Sequence, residues 1–236
     1  MKPNENLMAA LLRVRNGELS LPEGRSVVQR AGASKDPAYI PVLKEIVARA
    51  APTNRHLIAF DAMHALSLSG ESAAYFLGLA RAHASNKMAS YYAILILARD
   101  PDPQILSALQ SDLEASDDNQ IRGAVDLARY VAHRNQQLQT IQGFEKQAGF
   151  LIENLRTGWN SIQVEEYSPT ANLGPVAVWS QRRIRALSEL HPREVAEAVS
   201  KIGPSSDLGP SWPSFKAYVS RFISDAARAQ VQAMPQ

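Results

Sequence analysis

The sequence predicts an all-α fold, specifically an α-solenoid in which antiparallel helical hairpins stack side by side. One observation is a repeated unit of two short helices, which begins at Asp36, Glu71 and Asp102 with spacings of 35 and 31 residues. Units of about this length with two helices each are typical of α-solenoids. A second observation is that apolar residues recur at helical spacing, as expected when each helix buries one face against its neighbours.

A helical pair is predicted ahead of the first repeated unit. Residues 7–12 form a compact apolar face, and the first helix should end near Gly17. Ser20 suits the cap of a second helix because its hydroxyl can accept a hydrogen bond from a first-turn N–H, and Pro22 suits that turn because its missing N–H would have no partner there. Gly32 is then predicted to end that helix.

The first repeated unit begins at Asp36, whose carboxylate can accept hydrogen bonds from the free N–H groups of a first helical turn. Pro37 suits the same turn because its missing N–H would have no partner there. Residues 51–54 break the chain, and a second helix is predicted over 55–69, until Gly70 ends it.

The second and third units follow at Glu71 and Asp102. The helix predicted over 88–98 is apolar on almost every side, so we expect it to be covered from several directions at the centre of the stack. The third unit breaks at 116–119 and continues as an amphipathic helix. Its apolar positions are Ile121, Ala124, Val125, Ala128, Val131 and Ala132.

The pattern changes after the third unit. A longer helix is predicted to end at Gly158, and residues 158–175 are rich in turn formers without a helical period. They therefore predict a long irregular loop, which in a compact protein is often functional. Further helices are predicted over 176–190 and 192–203, and a single last helix carries the apolar face from Phe215 to Ala226.

Residues 36–43 and 102–109 both read Asp-Pro followed by an apolar helix face, and residues 117–128 combine an acidic turn, an apolar–Arg pair and small residues. In these stretches the chain resembles HEAT repeats of the short bacterial kind, including those related to phycobilisome lyases. The resemblance covers roughly residues 36–134, and it departs from the family pattern at Tyr91 and Tyr92, where small residues are usual. It implies a right-handed superhelix, whose second helices line the concave side, and most often a protein-binding role without chemistry.

Together these patterns predict three regions. Residues 1–157 hold the N-terminal helical pair and three HEAT-like repeats, and residues 158–175 form the irregular loop. Residues 176–236 form a helical cap, which we expect to pack on the solenoid and to cover its last apolar face.

Composition argues against several classes of function. The chain has no Cys, which excludes disulfides, thiolate metal sites and a Cys nucleophile. Its net charge is +2, and neither half is basic, so the electrostatic footprint of a nucleic-acid binder is missing. No apolar run reaches the ~20 residues that cross a bilayer, so we predict no membrane partner. We expect a cytoplasmic protein, with prior removal of an export signal as the alternative.

A row of polar residues lies opposite the apolar face of the third unit's second helix, at Arg122, Asp126 and Arg129. A shift of 65 residues aligns this row with Asp61 and His64. On a concave surface, such a row would bind a peptide of mixed charge, because Arg grips carboxylates in a bidentate fashion. The alternative is an ordinary solvated helix face with local ion pairs.

Other residues allow two interpretations each. Asp61 and His64 lie three residues apart, but no other ligand completes a metal site, so we predict no metal. Tyr91 is either an aromatic platform for a partner or part of the core. Trp159, on the predicted loop, is either an interface residue or a plug at the end of the stack.

The sequence therefore predicts a non-enzymatic scaffold that binds a protein or peptide partner along its concave face. The predicted contact residues are Asp61, His64, Tyr91, Arg122, Asp126, Arg129 and Trp159, and neither catalytic residues nor cofactors are predicted. The competing interpretation is an enzyme on HEAT-like repeats, such as a chromophore lyase or a DNA glycosylase. We expect a monomer or a weak homodimer.

Overall fold

A computed structural model describes residues 3–82, 85–99, 103–113, 116–164, 170–202 and 212–233. All regular secondary structure in these ranges is helical, as the sequence predicts, and none of it is a strand. Contacts divide the chain into two compact units, from here on called the first unit (Met1–Arg129) and the second unit (Tyr130–Gln236). They are distinct from the short repeated units that the sequence predicts.

In chain order the first unit holds three helical hairpins and a fourth pair of helices. The hairpins are formed by α1 (Pro3–Asn16), α2 (Leu21–Ser34), α3 (Ile40–Ala50), α4 (His56–Leu68), α5 (Ala73–Arg81) and α6 (Lys87–Leu97), and the fourth pair is α7 (Pro103–Leu113) with the beginning of α8 (Asn119–Thr140). A short 3-10 turn, Pro37–Tyr39, precedes α3.

Most of the predicted helix starts are confirmed. The Asp36 carboxylate accepts a hydrogen bond from the Ala38 N–H at 2.9 Å, and the Ser72 hydroxyl accepts one from the Tyr75 N–H at 3.4 Å. Glu23 completes the start of α2 by accepting a bond from the Ser20 N–H at 3.0 Å. The helix α7 begins at Pro103, and Asp102 lies outside the described residues.

The predicted stop at Gly32 is wrong, because α2 continues to Ser34 and closes with Lys35 in a left-handed conformation (φ 53°). Gly32 is buried where α2 meets α4, and a Cβ built on it would lie 3.0 Å from Cα of Ala65. The glycine therefore permits close helix packing instead of making a turn.

Helix contacts in the first unit join each hairpin to the next. Within the hairpins α1 packs on α2, α3 on α4 and α5 on α6. Between hairpins, first helices meet first helices (α1 with α3, α5 with α7), and second helices meet second helices (α2 with α4, α4 with α6). One hydrophobic cluster runs from Leu11 in α1 to Ala128 in α8. The residues of α6 from Ala89 to Leu97 are buried except Tyr91, which agrees with its prediction as a central helix.

Ion pairs bridge the successive hairpins in one consistent direction. In each of them the basic residue lies on the earlier hairpin and the acidic residue on the following one. These pairs are Arg15–Glu45 at 2.9 Å, Arg25–Asp61 at 2.6 Å, Lys44–Glu71 at 2.7 Å and Lys87–Asp118 at 2.7 Å.

Helices of the second unit pack as a bundle. They are the rest of α8, α9 (Phe144–Val164), α10 (Thr170–Leu190), α11 (Pro192–Ile202), α12 (Trp212–Ser220) and α13 (Asp225–Ala233). Helix α9 contacts α10, α11 and α12, while α10, α11 and α13 all contact one another. Trp179 and Phe215 are among the largest side chains that this bundle buries completely.

The predicted loop at 158–175 is wrong over most of its length, because 158–164 continue α9 and 170–175 begin α10. Residues 165–169 lie outside the described part of the chain. A glycine inside a helix costs only about 1 kcal/mol, so Gly158 does not stop a helix that already buries Leu151 and Leu155. Helix α9 packs with the helices that follow it, so the contacts divide the chain after Arg129 and not at 157.

The single last helix that the sequence predicts is two helices, α12 and α13. Ser224 lies in the break between them and bonds twice to Ser188 near the end of α10. Its N–H donates to the Ser188 hydroxyl at 2.7 Å, and its own hydroxyl donates to the Ser188 carbonyl at 2.7 Å. The Ser224 hydroxyl also accepts a bond from the Ala227 N–H, which caps α13. These bonds satisfy backbone groups that a continuous helix would have paired internally.

Candidate interaction surface

The partly exposed side of α2, α4 and α6 is here called the second-helix face. Three of the six predicted contact residues of the first unit, Asp61, His64 and Tyr91, lie on its helices. Helix α4 is buried against α2, α3 and α6, so only one stripe of it is accessible. His56, Phe60 and His64 lie on that stripe at i, i+4 and i+8 and are half-buried. The predicted residue His64 therefore reaches the surface beside an aromatic ring.

Two tyrosines of α6 extend this stripe sideways. Tyr92 is 7% exposed, and its ring centroid lies 4.8 Å from that of Phe60, 5.5 Å from that of Tyr91 and 6.1 Å from that of His56. Burial raises the pKa of Tyr92 to about 12 because the phenolate would lose its hydration. Tyr91 is half-buried, and burial raises its pKa as well. Tyr92 thus belongs to the core, and Tyr91 lies on top of it at the surface.

Asp61 lies beneath this face in an ion pair between hairpins. Its carboxylate accepts hydrogen bonds from Nε of Arg25 at 2.6 Å and from Nη2 of Arg25 at 3.4 Å, and Nε2 of Gln29 lies 3.5 Å away. The Asp61 side chain is 8% exposed and that of Arg25 is 39% exposed. Hydrogen bonding to Asp61 raises the pKa of Arg25. The carboxylate of Asp61 is therefore directed to Arg25 on α2, which is an internal partner.

The polar row predicted on α8 is engaged locally. Arg122 donates to the Ser116 carbonyl at 2.9 Å and to the Asn119 side chain, so it closes the turn before the helix. Arg129 pairs with Asp126 at 2.8 Å, three residues apart, and the Asp126 side chain is 67% exposed. These contacts fit the alternative of a solvated helix face, on which ion pairs contribute little stability.

Trp159, the remaining predicted contact residue, has a side chain outside the described part of the chain. Its backbone belongs to α9 and not to a loop.

Sequence reasoning missed three residues of the second-helix face. Phe60 is the aromatic link between α4 and Tyr92, and its position midway between His56 and His64 was the available signal. Arg25 holds Asp61, and Arg99 lies buried with its guanidinium carbon 5.8 Å from the Phe60 ring centroid. Neither Arg could be assigned from sequence, because both contacts cross between different helices.

The chemistry available on this face is recognition by rings, amides and cations. Within the described ranges, no group of three or more His, Asp or Glu side chains is placed to hold a metal ion. Likewise, none of the helices described combines the length and hydropathy needed to span a bilayer.

Comparisons of the chain with protein-family models, with curated proteins and with solved structures gave no significant match. The resemblance to HEAT repeats therefore stays a prediction.

Proposed function

We propose that the first unit is a solenoid-like stack of four helical hairpins, and that its second-helix face binds a protein or peptide partner. The order of contacts supports the stack, because first helices meet first helices and second helices meet second helices. The four ion pairs between hairpins repeat the same direction, as expected when similar units are translated along one axis. The N-terminal pair α1–α2 then counts as one more unit of the same kind.

The observation that carries the binding role is a ring array in which half-buried Phe60 and Tyr91 lie at the surface of two neighbouring helices and pack on the core residue Tyr92. Half-buried aromatic side chains with polar neighbours are typical of the centres of protein interfaces. His64 lies one turn from Phe60 on α4, and Gln29 on α2 is exposed, so both add polar groups to this face. The net charge of the whole chain is only +2, which favours a protein or peptide over nucleic acid.

A photo-crosslinking amino acid tests where the partner binds. Ala33 and Ala48 are both exposed alanines, but Ala33 lies on the second helix α2 and Ala48 on the first helix α3. We expect specific crosslinks from position 33 and none from position 48. Equal crosslinking from both positions would contradict a partner on the second-helix face.

Two substitutions then test the aromatic array. Tyr91→Ser should weaken partner capture at least tenfold, whereas Tyr130→Ser, which changes an exposed tyrosine of α8, should leave it unchanged. A double change of Arg122 and Arg129 to Ala tests whether the polar row contributes to binding independently of the aromatic array. Full capture by the double variant would remove the row from the binding surface, and full capture by Tyr91→Ser would refute the array.

The partner is proposed to be a different protein, with the chain itself a monomer or a weak homodimer. Sedimentation velocity at two concentrations measures this directly. A concentration-dependent dimer that Tyr91→Ser abolishes would instead identify a second copy of the chain as the partner.

A further inference from the structure

A cleft of about 360 Å³ opens at one end of the first two hairpins, away from the stripe of α4 described above. It lies where α1 and α3 end and α4 begins. Three arginines line it, Arg15, Arg49 and Arg55, and buried aliphatic side chains such as Ile46 and Ile58 form its floor. Its volume is in the range of small-molecule sites.

The three arginines differ in how the protein engages them. Arg15 pairs with Glu45 at 2.9 Å. Arg55 donates from Nη2 to the Leu19 carbonyl at 2.9 Å and packs against Gly17, where a Cβ would lie 2.8 Å from its Nη1. Among the residues that the structure describes, Arg49 makes no ion pair or hydrogen bond. Arg49 therefore remains at this cleft as a cationic donor without a partner of its own in the described part of the chain.

Helix dipoles explain only part of this arrangement. Arg15 and Arg49 lie in the last turns of α1 and α3, where a cation is favourable without any ligand. Arg55, by contrast, immediately precedes α4, where the partial positive charge of the helix start disfavours a cation. An anion in the cleft would compensate both Arg55 and the start of α4.

Asn54 adds a neutral donor to the same rim. Its side-chain amide makes no hydrogen bond with any described residue, and it lines the cleft beside Arg55. An oxyanion accepts bonds from guanidinium and amide groups together, whereas the aliphatic floor can bury only an apolar body.

We propose that this cleft binds a small ligand that carries an oxyanion, a carboxylate or a phosphate, on an apolar body. The inference is independent of the partner proposed for the second-helix face, since it rests on other residues and needs no protein partner.

Calorimetric titration of the full chain tests the proposal with four probes: phenyl phosphate, benzoate, inorganic phosphate and the neutral benzyl alcohol. We expect phenyl phosphate or benzoate to bind at least tenfold more tightly than inorganic phosphate, and benzyl alcohol not to bind. A preference for phenyl phosphate over benzoate would assign the oxyanion as a phosphate, and the reverse would assign it as a carboxylate. Absence of binding by both aromatic anions at millimolar concentrations would overturn the proposal.

A matched pair of variants locates the binding. Arg49→Gln removes a cation that forms no hydrogen bond or ion pair with any described residue, so the fold should be retained, and it should weaken binding of the preferred anion at least tenfold. Arg30→Gln removes an exposed cation of α2 that is outside the cleft and should leave the affinity unchanged. Equal affinities for Arg49→Gln and the unchanged chain would overturn the site.

Discussion

In the first unit, the main contacts between hairpins join each hairpin to the one before and the one after it. In the second unit, α10, α11 and α13 all contact one another. The ion pairs differ in part. Four pairs of the first unit link successive hairpins. In the second unit Lys201–Glu145 joins α11 to α9, while Arg185–Glu189 and Arg193–Glu197 lie within single helices.

The two modes of packing imply different responses to damage. When stability is a sum of interfaces between neighbours, a defect at one end weakens mainly the adjacent hairpins. In a bundle with mutual contacts, the loss of one large core residue removes support from several helices at once.

The largest effect is expected in the second unit. Trp179→Ala should lower the free energy of unfolding by about 3–5 kcal/mol, because it empties a completely buried site in α10. Hydrogen exchange should show protection falling together in α10, α11 and α13. A loss confined to α10 would contradict the description of this unit as a mutually packed bundle.

The same change, glycine to alanine, at one helical position in each unit compares how closely the helices of the two units pack. A Cβ at Gly32 would lie 3.0 Å from Cα of Ala65, so Gly32→Ala requires the α2–α4 contact to open by a few tenths of an ångström. We expect this overpacking to cost about 1–3 kcal/mol. Gly149→Ala in α9 meets nothing within 4 Å and should stabilise by about 0.5–1 kcal/mol through helix propensity. Urea unfolding measures both, and equal effects would show that the α2–α4 contact is looser than described.

The ion pairs offer a subtler comparison. Arg25→Met leaves the buried Asp61 carboxylate without its main partner and should cost about 1–3 kcal/mol. Arg193→Met removes an exposed pair within α11 and should cost at most about 0.5 kcal/mol. Chemical unfolding of the two variants at the same pH measures both costs. Similar costs would show that ion pairs between hairpins contribute no more stability than an exposed pair within one helix.

The smallest effect concerns tyrosine ionisation, because the raised pKa values change the stability only at alkaline pH and not at neutral pH. Burial raises the pKa of Tyr75 and of Tyr92 from 10.0 to about 12. Because the unfolded chain loses these protons first, their contribution is complete below pH 10 and is lost as the pH rises towards 12. Absorbance at about 295 nm should show late-titrating tyrosines, one of which disappears in Tyr92→Phe. Titration of every tyrosine near pH 10 would contradict the burial of Tyr92.

Local features of this fold could be predicted from the sequence. The helix starts at Asp36 and Ser72 depend on side chains that cap their own helix, and the central position of α6 follows from its apolar composition. A hairpin of neighbouring helices is likewise encoded within a few dozen residues.

Features that depend on a distant segment could not be predicted. Gly32 resembles a helix stop, and only its contact with Ala65 shows why α2 continues. The break between α12 and α13 depends on Ser188, 36 residues before Ser224. In the candidate surface, the position of His64 and Tyr91 follows from helical spacing, whereas the pairing of Asp61 with Arg25 requires α2 to lie beside α4.

Hydrogen exchange of Leu11→Ala tests the central claim, that the first unit is a linear stack, most directly. Leu11 is completely buried in α1, at one end of the proposed stack. In a linear stack the effect is graded: protection should be lost most in α1, α2 and α3, less in α4, and should be unchanged in α7. Uniform loss of protection from α1 through α7 would contradict it and would describe a single globule instead.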